Sequence, residues 1–112
     1  MRKITKILAL AASLTTSFGV AAQPAAAESK PTVVLVHGAF AESSSWNDVI
    51  AELRRDGYVA VAAANPLHSV SSDAAAVAAV VRSIPGPVVL VGHSYGGPVV
   101  TEAANGSSNV KV

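Results

Sequence analysis

The chain predicts an α/β fold: an open parallel sheet with helices on both faces. Three observations carry this. Short apolar runs rich in β-branched residues recur at 32–36 (TVVLV), 58–63 and 88–91. Unbroken runs of that kind suit strands covered on both faces by helices. Helix-like segments separate and follow these runs, and strand alternating with helix is the pattern of a parallel sheet.

The elements follow in order. Pro31 opens the first strand, where a missing N–H costs least. His37-Gly38-Ala39-Phe40 ends it, and a polar loop leads to a helix over 46–55. Trp46, Val49, Ile50 and Leu53 recur there at i, i+3, i+4 and i+7, with Ser45 as N-cap and Asp48 in the first turn. Gly57 suits the left-handed position after that helix. The second strand, 58–63, ends at Asn65-Pro66. Ser71 or Ser72 caps a second helix over 73–84, whose inner face is Val77, Val80, Val81 and Ile84. Pro85-Gly86-Pro87 stops it and feeds the third strand. A third helix covers 97–104 and ends at Asn105-Gly106, and 110–112 opens a fourth strand. Right-handed crossovers put the first strand between the second and third, creating a switch point where ligands bind at the carboxyl ends of strands.

The most informative stretch follows the third strand. Gly92-His93-Ser94-Tyr95-Gly96 fits the G-x-S-x-G nucleophile elbow, preceded by a strand and followed by a helix as that motif requires. A strand turning at once into a helix holds its serine in a strained conformation, and side chains two residues away on either flank would collide. Gly92 and Gly96 remove those collisions, which lets the Ser94 hydroxyl stand exposed above the sheet.

Composition narrows the function. The 112 residues allow one domain. A net charge of +1 with 13% charged residues gives no basic footprint, so nucleic acid is not an expected partner. The chain has no cysteine, which removes disulfides, thiolate zinc sites and cysteine nucleophiles. Neither a metal nor a cofactor is expected. Arg2, Lys3 and Lys6 precede an apolar stretch from Ile7 to about Val20, and Ala25-Ala26-Ala27 follows. This is the order of a secretory signal, with cleavage after Ala27 or, by the same small-residue rule, after Ala22. The stretch is interrupted by Ser13, Thr15, Thr16 and Ser17 and is shorter than the roughly 20 residues a membrane span needs. The expected organisation is a signal over 1–27 and a domain over 28–112. The expected location is extracellular, without stable membrane association after cleavage.

With VLVHGAF at 34–40, Trp46, the Asn65-Pro66-Leu67 loop and VLVGHSYGG at 89–97, the chain resembles the α/β-hydrolase family, closest to its small esterase and hydroxynitrile lyase branch. The resemblance implies an α/β-hydrolase fold and a small-molecule acyl substrate. It implies Ser94 as nucleophile and the backbone N–H groups of Ala39 and Tyr95 as the oxyanion hole. Gly92, His93, Gly96, His37 and Gly38 take architectural roles in the elbow and the oxyanion loop. Hydroxynitrile lyases of this branch tend to carry threonine at the position of Gly38, which argues for ester hydrolysis. The family also uses an acid and a general-base histidine after the serine. Residues 95–112 contain neither Asp nor His, and Glu102 is their only carboxylate. His37, with a packing or hydrogen-bonding role favoured, and the loop residue His68 lack the context of a base. The expectation is therefore the N-terminal portion of a secreted esterase-like serine hydrolase, inactive as these 112 residues alone. The alternatives are cyanohydrin lyase or cofactor-free haloperoxidase chemistry on the same scaffold, or a non-catalytic module that keeps the elbow as architecture.

Overall fold

A computed structural model describes residues 30–111 and, apart from them, residue 13; the rest of the expected signal segment lies outside the described residues. The elements are β1 (Thr32–Val36), a 3₁₀ turn (Ser43–Trp46), α1 (Asn47–Arg55), β2 (Ala60–Ala63), α2 (Val70–Ser83), β3 (Val88–Gly92) and α3 (Gly96–Ala104). All pairing is parallel, in the order β2-β1-β3, so the first strand is central as expected.

Alternation along β1 builds two cores. Val34 and Val36 face one side, where they join Ala63 and Val88 of the neighbouring strands and the inner faces of α2 (Ala74, Val77, Val81) and α3 (Val99, Ala103). Val33 and Leu35 face the other side with Ala60, covered by Trp46, Ile50 and Leu53 from the α1 segment. Helices thus flank both faces. Burial is uneven, however. The expectation of full burial holds for Val33–Val36 of β1 but not for β3, where only Val88 is buried. Beyond β3, among the described residues, there is only a single bridge from Val88 to Val110, the sole trace of the fourth strand, so the outer edge stays open.

Four boundaries differ from the sequence reading, each for a local reason. The second strand starts at Ala60, because the Tyr58 N–H donates to Leu53 O (3.0 Å) and closes α1 instead of pairing. Ser45 does not cap α1. It belongs to the preceding 3₁₀ turn, where its Oγ accepts the Glu42 N–H at 3.3 Å. The cap of α2 is Ser69, which is extended and accepts the Ser72 N–H at 3.1 Å, while Ser71 and Ser72 are already helical. The third helix begins one residue early, at Gly96. Gly57 takes the left-handed conformation after α1, with φ of 84°.

Val34, wholly buried at the centre of the larger core, is the best probe of this packing. Val34→Ala removes two carbons and leaves a cavity, an expected loss of about 2 kcal/mol. Val49, on the apolar stripe of α1, is 40% exposed, and Val49→Ala should change stability by less than about 0.5 kcal/mol. Urea titration of both variants checks the ranking.

Candidate functional site

The carboxyl ends of the strands meet at the elbow. The His93 N–H donates to Val36 O at 3.1 Å, extending the β1–β3 ladder by one rung beyond β3. The chain then reverses. Gly96 N–H bonds back to His93 O (2.9 Å) and Gly97 N–H to Ser94 O (2.8 Å). Ser94 sits between them with φ of 53°, a left-handed conformation that costs a non-glycine residue about 1–2 kcal/mol, and its side chain is exposed.

Three glycines make this turn possible. A Cβ on Gly96 would lie 2.5 Å from Val36 O and 3.0 Å from His37 O, because the start of α3 rests on the end of β1. A Cβ on Gly92 would overlap the Gly96 carbonyl, with the Gly97 nitrogen at 2.9 Å. Gly38, in the loop after β1, would bring a Cβ to 2.9 Å from His93 O and 3.1 Å from the Ser94 Cβ. The loop after β1 therefore lies directly against the serine. Ala39 and Tyr95 stand on that loop and on the elbow, and among the described residues neither backbone N–H donates to another protein group.

His37 is buried and locked. Its Nδ1 meets Gly38 O at 2.9 Å, and its Nε2 accepts the Asn65 N–H at 3.2 Å. That pattern assigns the ring proton to Nδ1. Asn65 answers by donating from Nδ2 to His37 O at 3.0 Å, tying the loop after β2 to the loop after β1. His93 and His68 are both exposed. The Phe40 side chain is fully exposed at a left-handed backbone position (φ 62°), and Leu67 repeats that conformation (φ 60°) after β2. A pocket of about 280 Å³, lined by His37, Gly38, Ala41, Ser45, Trp46 and His93, opens on the α1 side of the elbow.

One residue of this region escaped the sequence reading. Asp73 is wholly buried; its Oδ2 accepts the Tyr95 hydroxyl at 2.7 Å and its Oδ1 accepts the His68 N–H at 3.1 Å. Burial pushes its pKa up, but the bonds from Tyr95, His68 and Ser69, with the nearby His68 side chain, more than reverse this, and the net shift is downward. The carboxylate in turn raises the Tyr95 pKa, with desolvation adding to it. Spacing did carry a signal: Asp73, Val77 and Val81 recur every four residues, which puts the acid on the inward stripe of α2. Among the described residues no three His, Cys, Asp or Glu side chains cluster as a metal site would require.

A model of the alpha/beta hydrolase family matches residues 33–112. The chain belongs to that family. Two solved structures share the fold. One, described as an extracellular alpha/beta-hydrolase from a Paenibacillus species with structural and functional homology to tobacco salicylic acid binding protein 2, aligns at 23% identity with a TM-score of 0.65. The other, a histidine-to-alanine variant of PytH, aligns at 21% with a TM-score of 0.63. Each alignment covers 73% of this chain and 38% of the other, so the chain spans well under half the length of these hydrolases. No curated protein matches it.

In this member of the family the glycine contacts give a sharp contrast. Gly96→Ala should cost at least about 3 kcal/mol, the upper range for overpacking, because backbone must move. Gly97→Ala meets nothing within 4 Å inside α3, and should stabilise by roughly 0.5–1 kcal/mol. Denaturant melts compare the two. The Asp73–Tyr95 pair makes stability depend on pH at both ends. The lowered carboxyl pKa adds stability above the ordinary value of 3.8, lost as pH falls through the folded value; the raised Tyr95 pKa adds stability below 10.0, lost as pH climbs through its folded value. Thermal melts against pH should show the advantage of wild type over Tyr95→Phe shrinking toward both extremes.

Proposed function

We propose that this chain carries the nucleophile and oxyanion hole of an exported serine hydrolase that acts on ester-type bonds of small acyl substrates through an acyl-enzyme. The observation that carries the reading is the left-handed Ser94, held exposed by glycines on three sides. Backbone strain of this kind persists only where surrounding structure enforces it, and it concentrates at active sites.

In the proposed reaction Ser94 Oγ attacks the acyl carbon, and the carbonyl oxygen gains charge opposite the N–H groups of Tyr95 and Ala39. The tetrahedral intermediate collapses, the alcohol leaves with a proton, and water then hydrolyses the acyl-serine. Proton transfer needs a base with a free lone pair. His37 has none, since Nδ1 faces Gly38 O and Nε2 accepts from Asn65. Residues 95–112 supply no histidine or aspartate, and among the described residues no side chain is hydrogen-bonded to the Ser94 hydroxyl, so the reading assigns neither the base nor the acid. The exposed Phe40 ring, next to Ala39, is available to an apolar substrate group.

Ester hydrolysis is preferred over cyanohydrin cleavage because of Gly38. The threonine typical of the lyases would place its Cβ, with two substituents, against His93 O and the Ser94 Cβ. Export rests on the charged, apolar and alanine-rich order of residues 1–27.

Two experiments test the proposal. In the full-length protein a fluorophosphonate probe should label Ser94, and Ser94→Ala should abolish labelling and lower ester turnover by several orders of magnitude. Turnover of a cyanohydrin in preference to esters, or activity surviving Ser94→Ala, would refute it. Mass spectrometry of exported material should begin at Gln23 or Glu28; secreted protein beginning at Met1 contradicts the signal.

A further inference from the structure

The elbow is restrained by close packing at three glycines and by one polar contact. Gly92 lies against the start of α3, Gly96 against the end of β1, and Gly38 against His93 and Ser94. The polar contact is the bond from the Tyr95 hydroxyl to Asp73 on α2. We propose that Asp73 is a positioning residue: by holding the Tyr95 side chain it fixes the direction of the Tyr95 N–H, one of the two donors of the oxyanion hole. The inference rests on the hydrolase reading above.

The placement of the carboxylate argues against a role confined to the helix. Ser69 already caps α2, accepting the Ser72 N–H at 3.1 Å. An acid in the first turn gains from the helix dipole equally well when exposed to water. Asp73 is instead wholly buried, where an ionised carboxylate is costly unless its oxygens are satisfied. Both are: one by the His68 N–H and one by the Tyr95 hydroxyl. The bond to Tyr95 spans 22 residues of sequence and joins α2 to the residue after the serine. A hydrogen bond to a charged acceptor is short and directional, so it fixes where the ring lies and, through it, how the peptide of Tyr95 is turned. Without it, the half-buried ring is held by packing alone. An oxyanion donor works only within a few tenths of an ångström of its proper place, so a loose Tyr95 would weaken the transition state and leave substrate binding intact.

The test uses the full-length protein and five variants. Tyr95→Phe, which removes one oxygen, and Asp73→Ala should each lower kcat about 10-fold or more, with KM within about twofold of wild type. Their effects should not multiply in the double variant. Asp73→Asn can still accept the His68 N–H and meet the Tyr95 hydroxyl, so kcat should recover to within about threefold of wild type. Hydrogen exchange at the Tyr95 amide, a readout independent of turnover, should quicken in Tyr95→Phe and Asp73→Ala and return toward wild type in Asp73→Asn. If Asp73→Ala does not fold, Tyr95→Phe decides. Unchanged kcat and unchanged exchange in a folded Tyr95→Phe overturn the inference. Ser94→Ala separates the two levels. If it silences the enzyme while Tyr95→Phe does nothing, only this inference fails; if turnover survives it, the hydrolase reading fails as well.

Discussion

Everything in this fold depends on how closely the start of α3 approaches the end of β1. At Gly96 two backbones come so near that a single methyl group would lie 2.5 Å from the Val36 carbonyl. That approach sets the angle at which the chain leaves β3, and hence the left-handed turn at Ser94. It also explains why the central strand must be β1. The strand carrying the serine pairs with it in register from Thr32 opposite Val88 to Val36 opposite Gly92, so the loop after β1 arrives beside the serine. A shift of one residue would move the alternating valines of β3 to the wrong faces and carry the serine away from the loop.

The same constraint organises the second strand. β2 flanks β1 on its other side, and its exit loop is fastened to the exit loop of β1 by the reciprocal contacts of His37 and Asn65. Buried polar groups are costly unless paired, and these pair with one another. The result is a rigid shelf across the carboxyl ends of two strands, on which Gly38 and Ala39 sit. Two further left-handed residues, Phe40 and Leu67, lie on the loops that leave this shelf. Strain is thus gathered at one end of the sheet, while the cores below are ordinary aliphatic packing.

Much of this was legible in the sequence because it rests on local chemistry. Apolar runs, turn glycines and prolines locate the strands and helices, and the elbow motif locates the serine: Gly92 answers to Gly96 and Gly97 within five residues, whereas Gly96 answers to the distant end of β1. What escaped had a longer reach. The sequence does not separate Ser69 from Ser71 and Ser72 as the cap of α2, because the serines are chemically alike and only backbone geometry picks Ser69. Nor does it show the start of β2, because the Tyr58 N–H is claimed by the preceding helix. Full burial of β3 was inferred from its valines, but burial depends on neighbours, and among the described residues one side has little beyond Val110. The role of Asp73 is not legible because its partner Tyr95 lies 22 residues away, although its place on the Val77–Val81 stripe marks it as inward.

The division of labour within the site follows from which atoms these residues supply. The elements gathered here offer backbone: the N–H groups of Ala39 and Tyr95, which among the described residues have no protein acceptor, a strained turn, and carbonyls that shape the approach. They supply a hydroxyl, and the buried titratable groups around it are engaged elsewhere. His37 has both ring nitrogens engaged, and the Asp73 carboxylate has an oxygen engaged by Tyr95 and the other by the His68 backbone. An aspartate held in that way, with its pKa driven down, is a poor proton acceptor. Each titratable group buried near the serine is thus committed to holding the backbone in place. Electrostatic stabilisation can be built into such a rigid frame in advance, whereas proton transfer needs a group left free to change its partner. On physical grounds the frame that holds Ser94 and the base that would activate it are separate tasks, and the described residues are organised for the first.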